Sequence, residues 1–163
     1  MQIFRVSPNH EVSAKYLDNR RLSKQILELY QIIRVCLAHM ELIEGNTKYI
    51  HHPIVQHVYN DGNPYIIDTF QLLKEMNKEH IRRGGKRSES FKQDLSNLAL
   101  IIDKNRSHFS DKNLPPIYVY GNDKIYGDIA YEEYIKLLYY KWQNDKIPAR
   151  CNCLINVQEN YYE

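Results

Sequence analysis

The stretch Leu22-Ser23-Lys24-Gln25-Ile26-Leu27-Glu28-Leu29-Tyr30-Gln31-Ile32-Ile33-Arg34-Val35-Cys36-Leu37-Ala38-His39-Met40 decides the fold. Leu22, Ile26, Leu29, Ile33, Leu37 and Met40 recur at steps of four and three, which puts them on one buried stripe of a helix. Working outward, Ser13 is expected to cap this helix and Gly45 to end it after about Glu44. His51-His52-Pro53-Ile54-Val55 reads as a turn or short helix, with Pro53 suited to the first helical position and one imidazole capping. Asn63-Pro64 predicts the start of a second long helix, with Ile66, Phe70, Leu73, Met76 and His80 or Ile81 inward, stopping at Gly84-Gly85. Ser88 or Ser90 predicts a third helix, with Phe91, Leu95, Leu98 and Ile102 on one face. Pro115-Pro116 excludes a helix there and leaves Ile117–Tyr120 as a short extended piece at most. A fourth helix over about Asp128 to Gln143 carries Tyr131, Ile135, Leu138 and Trp142, and Ile147 to Glu163 reads as irregular. The fold class is therefore mainly α: one helical domain over residues 1–163, with irregular loops and little or no sheet.

Composition agrees with that. The 163 residues, 43% hydrophobic and 26% charged, suit one packed domain and exclude wholesale disorder. No apolar run approaches the roughly 18 residues needed to span a bilayer. The N-terminal apolar stretch is too short for a signal peptide, so an intracellular protein is expected. Three cysteines give no disulfide framework, and a net charge of +2 by itself points to no partner.

Chemistry has three candidate locations. Arg21, Lys24, Gln25 and Glu28 share one flank of the first long helix, beside the apolar stripe. A carboxylate between cations at the edge of a core suits acid/base or charge-stabilising work, and the same spacing suits a surface Lys24–Glu28 pair. Arg82-Arg83-Gly84-Gly85-Lys86-Arg87 is a glycine-rich cationic turn. It can bind phosphates, with Arg20, Arg21, Lys24 and Arg34 beside it if they share a face, or it can simply cap a helix C-terminus. His51, His52 and His57 with Cys151 and Cys153 are poorly spaced for zinc, so neither a metal nor a cofactor is expected. Cys36 reads as a small core residue. Tyr118, Tyr120, Tyr126, Tyr139 and Tyr140 are candidates for base stacking or for the rim of the core. No phosphate-binding loop, nucleophile elbow or dinucleotide fingerprint is present.

Three segments in order carry a resemblance: Tyr16-Leu17-Asp18-Asn19-Arg20-Arg21-Leu22-Ser23-Lys24-Gln25-Ile26-Leu27-Glu28, then His51-His52-Pro53-Ile54-Val55, then the helix end Ile81-Arg82-Arg83-Gly84. Together they resemble the pyrimidine-dimer DNA glycosylases of the endonuclease V type. The chain is most similar to a bacterial branch that opens Met-Gln-x-Phe and carries Leu-Asp-x-x-Arg-Leu-x-Lys-Gln, as at Leu17 to Gln25. The likeness is good from Met1 to about Gly85 and thinner from Pro115 to Trp142.

The resemblance implies a single mostly helical domain acting on damaged DNA; double-stranded DNA is the expected partner and a monomer the expected state. The α-amino group of the first residue attacks C1′ of the damaged nucleotide and displaces the base as an imine forms. A glutamate assists, and β-elimination then cuts the strand. Carried over, the amine is that of Met1 and the glutamate is Glu28. Arg20, Arg21, Lys24, Gln25, Arg82, Arg83, Lys86 and Arg87 are then expected on DNA, and His51 and His52 near the lesion or its cleft. An α-amino group titrates near 8, against about 10.4 for lysine, so more of it is neutral at pH 7. Two departures stand out. Gln2 is large, so Met1 is expected to be retained, and Gln2 replaces the arginine that commonly follows the nucleophile. Ile26-Leu27-Glu28 replaces an aromatic-Arg-Glu. The rival expectation is a non-catalytic module that binds nucleic acid or a nucleotide on the same fold, as a viral accessory protein would.

Overall fold

The computed structural model describes residues 1–151. It is mainly α, as expected, but the first long helix is two. Helix α1 is His10–Tyr16 and helix α2 is Asn19–His39. Leu17 and Asp18 between them are extended. The break follows from Asp18, whose carboxylate accepts the Arg21 N–H at 3.2 Å and so starts a new helix. Asn9 caps α1, accepting from the N–H groups of Glu11 and Val12. Ser13 caps nothing: its buried hydroxyl accepts the Val6 N–H and donates to the Ser7 carbonyl. The chain leaves α2 at Met40 and passes through Glu41 at φ 60°, well before Gly45.

The stripe of α2 is fully buried at Leu22, Ile26, Leu29, Ile33 and Leu37, while Ile32, Val35 and Cys36 bury a second side. A helix buried on two sides is central, and α2 packs against both α3, Pro53–Tyr59, and α4, Ile66–Arg82. Burial pushes the Cys36 thiol up to about 12, which leaves it a small inert core residue. Pro53 takes the first position of α3, and His52 caps it, its Nδ1 accepting the Ile54 N–H at 3.1 Å.

Asn63 does not cap α4. A left-handed turn through Asn60, Asp61 and Gly62 delivers the chain to Tyr65, whose N–H donates to the Val58 carbonyl, and α4 starts at Ile66 without a side-chain cap. Its inward face holds Ile66, Phe70, Leu73 and Met76, with His80 half-buried and Ile81 exposed. Gly84, at φ 87°, turns the chain out of α4. A Cβ on Gly85 would lie 2.3 Å from the His80 ring, so the glycine allows that approach. Ser88 caps α5, Glu89–Lys104, accepting the Phe91 N–H at 3.1 Å.

The extended piece after Pro115-Pro116 is half of a hairpin. Strand β1, Ile117–Tyr120, pairs antiparallel with β2, Asp123–Tyr126. Helix α6, Ile129–Asn144, packs on it. Leu138 is buried as expected, but the rest of the buried face is Ala130, Tyr134 and Leu137, not Tyr131, Ile135 and Trp142. Tyr134 sets this rotation. Its ring packs at a tilt against Tyr118 and edge-on against Phe4, at 4.8 and 5.3 Å between centroids, and its hydroxyl accepts the Val119 N–H at 3.2 Å. Cys153 and most of the irregular C-terminal stretch lie outside the described residues.

Candidate active-site cleft

The N-terminal segment reaches the site by lying along α2. Ile3 is 1% exposed and anchors it in the core. On either side of Ile3 the backbone bonds one side chain: Gln25 Nε2 donates to the Gln2 carbonyl at 2.9 Å, and the Phe4 N–H donates to Gln25 Oε1 at 2.8 Å. The Tyr134 hydroxyl also lies close to the Ile3 backbone. Gln25 and Glu28 are three residues apart on α2, so they share a face within one turn. Gln2 and Glu28 thereby line one cleft.

A cleft of about 260 Å³ opens there, lined by Gln2, Phe4, Arg20, Arg21, Lys24, Gln25, Glu28, Lys141 and Asp145. The Glu28 side chain is 18% exposed and faces Lys24 Nζ at 3.7 Å, a loose pair on an otherwise exposed lysine. Arg20 is exposed. Arg21 is held: it forms a two-pronged ion pair with Asp145 at 2.7 and 2.9 Å and a further contact with Asp18 at 3.2 Å. Asp18 also accepts the Trp142 indole N–H at 2.9 Å, so the end of α6 is tied to the start of α2. The hydrogen bonds from Arg21 hold the Asp145 carboxyl below the usual range. Lys141 completes the cationic side, its ammonium 5.2 Å from the Tyr120 ring centre.

The N-cap residue of α3 is near the amine. His52 is half-buried, and burial and the positive N-terminal amine lower its pKa while Glu28 works against them. The Met1 amine and the Glu28 carboxylate are each within electrostatic reach of His52. Because His52 Nδ1 accepts the Ile54 N–H, its ring proton resides on Nε2. His51 is exposed. It borders a separate groove with His57, Lys124 and Tyr126. His57 Nε2 bonds the Pro115 carbonyl at 2.8 Å.

The cationic turn is not brought to this cleft. Arg83 is inward, its side chain 2% exposed. Its guanidinium pairs with Glu79 and donates to the carbonyls of Leu17, Lys15 and Ala14 and to Asn19. Arg82 pairs with Glu79 as well. Arg87 donates to the Ser23 carbonyl and stands over the Phe91 ring. Asn19 and Ser23 project from the flank of α2 opposite Arg21, Gln25 and Glu28 at 100° per residue, so the turn docks on the far side. Lys86 is exposed there. Arg34 reaches the Glu44 carbonyl and the Tyr30 ring, away from the cleft. Of the tyrosines, Tyr118 is buried, Tyr139 packs on Trp142, and Tyr120, Tyr126 and Tyr140 are exposed.

The family model for pyrimidine dimer DNA glycosylase matches residues 1–93, a span that holds Met1, Gln25, Glu28, His52 and the whole of α1 to α4. The chain belongs to the pyrimidine dimer DNA glycosylase family. No curated protein and no solved structure matches it. For this glycosylase-family chain, the residues that sequence reading missed are Phe4, Lys141 and Asp145. The last two come from α6 and its C-terminal end, outside the matched span, and no spacing in the sequence links them to α2. No helix among the described residues is long and apolar enough to cross a membrane.

Proposed function

We propose that the chain removes a damaged or modified pyrimidine from double-stranded DNA and then cuts the strand, using the Met1 amine as nucleophile and Glu28 as its acid/base partner. One observation carries this reading: the N-terminal segment is pinned along α2 within a turn of Glu28, at the floor of a cleft rimmed by Arg20, Lys24 and Lys141. The neutral amine would attack C1′ as the C1′–N bond to the base breaks and the base leaves with the bonding pair. Loss of one proton from the nitrogen leaves an aminal. The nitrogen lone pair then forms the C1′=N bond as the C1′–O4′ bond breaks and O4′ takes a proton, which opens the sugar ring and gives the protonated imine. Glu28 would stabilise positive charge on the sugar and then take the C2′ proton, whose bonding pair expels the 3′ phosphate in β-elimination. The three rim cations suit the phosphates flanking the extruded nucleotide. A lesion already weakens stacking, which lowers the cost of extrusion. His52, driven toward its neutral form, adds no positive charge beside the amine.

The test is borohydride trapping on duplexes carrying a thymine dimer, an abasic site or a modified pyrimidine. The wild type should form a covalent adduct that acetylation of Met1 abolishes. Glu28→Gln should bind the same DNA and turn over about 100-fold more slowly or worse. If neither protein traps on any of these duplexes while both bind them, the chain is a binding module on the family's fold.

A further inference from the structure

We infer that Gln25 is a positioning residue, whose side-chain amide sets the place of the Met1 amine relative to Glu28. The inference rests on the reading of Met1 as nucleophile.

Gln25 is 1% exposed, and both ends of its amide are engaged by the same short segment. It donates to the carbonyl of residue 2 and accepts from the N–H of residue 4. Those two groups flank Ile3 in the pattern that one residue of a parallel neighbouring strand would satisfy. The amide therefore substitutes for a missing strand. A segment at a chain end, with no sheet partner among the described residues, acquires a fixed register from one side chain. That side chain stands on α2, the same rigid helix that carries Glu28. Ile3 in the core and Tyr134 against the Ile3 backbone hold the segment down, but neither bonds the Gln2 carbonyl. From that carbonyl to the amine nitrogen is less than two residues of backbone. Loss of the clamp would release the amine's register while leaving Ile3 seated.

Two variants test this. Gln25→Met keeps the length and apolar body and loses both bonds. Gln25→Glu keeps an acceptor for the Phe4 N–H and loses the donor to Gln2. With protein saturating over an abasic duplex, trapping by Gln25→Met should slow by about 100-fold, the scale of a displacement near 1 Å at a reacting centre. DNA affinity should stay at the wild-type level. Gln25→Glu should fall between the two. Amide exchange at Phe4 should be slow in the wild type and in Gln25→Glu, and fast in folded Gln25→Met. Wild-type trapping rates in a Gln25→Met protein whose Phe4 amide has become unprotected would overturn the inference. So would a defect confined to DNA affinity. A wild type that traps on no DNA would sink the reading of Met1 on its own. The clamp would then still be judged by Phe4 exchange, and equal exchange in wild type and Gln25→Met would refute it.

Discussion

Replacing Arg83 by Met separates a structural cation from a DNA-binding one. In the folded chain the Arg83 guanidinium donates to the Leu17 carbonyl at 2.7 Å and to Lys15 and Ala14 at 3.1 and 3.4 Å. These are the carbonyls that the end of α1 leaves without helical partners, so Arg83 is the C-terminal cap of a helix remote in sequence. Its Nε also pairs with Glu79 at 2.9 Å, with both side chains nearly inaccessible. Removing one partner of a buried pair costs about 3–5 kcal/mol. Arg82 still reaches Glu79, which favours the lower end, and the orphaned carbonyls add to it at about 1 kcal/mol each before relaxation. A loss of about 3–5 kcal/mol, at a urea slope of about 2 kcal/mol/M, lowers the unfolding midpoint by roughly 1.5–2.5 M. Lys86→Ala, on the exposed side of the same turn, should stay within about 0.5 kcal/mol. Circular dichroism across a urea series at neutral pH measures both. The reasoning fails if Arg83→Met costs less than about 1 kcal/mol. It also fails if folded Arg83→Met loses the salt dependence of DNA binding that one phosphate contact supplies.

Acid should weaken the fold in two stages. Burial, ahead of other causes, lowers the pKa of His52, His57 and His80, so all three favour the neutral form in the fold. Their contribution is complete above the unfolded value of about 6.5 and is lost as pH falls from there through the lower folded values. Burial would raise the Asp68 and Glu79 carboxyls, but hydrogen bonds from His10 and Leu114, and from Arg82 and Arg83, outweigh it and hold both below the usual range. Their stabilisation is present above about 4 and disappears as pH falls through the folded values. The urea midpoint against pH should therefore decline from about 6.5 and again below about 4, and Asp68→Asn should flatten the second decline. At the cleft, Asp145→Asn should loosen Arg21 and remove a negative charge from the face proposed to meet DNA. Binding should tighten, with a salt slope steeper by about 0.9 for each phosphate that the freed Arg21 neutralises. An unchanged slope would show that Arg21 stays tied to Asp18.

Much of this was legible in one dimension because it is periodic or local. The core stripe of α2 from Leu22 to Leu37 repeats at helical spacing, and burial follows that spacing. The caps at His52 and Ser88 and the turn at Gly84 depend on neighbouring backbone groups, so a few residues suffice to predict them. Arg21, Lys24, Gln25 and Glu28 share a flank by helical geometry alone. Tertiary structure decided what those side chains face. Arg83 and Lys86 are indistinguishable as cations in a glycine-rich turn, yet one is buried against the end of α1 and the other is exposed. Gln25 reads as a polar residue on a charged flank until the N-terminal segment lies across it. Asp145 pairs with Arg21 across 124 positions. Such pairings arise from packing between distant segments, α6 on the hairpin and the chain start on α2, and residue spacing carries no record of that packing.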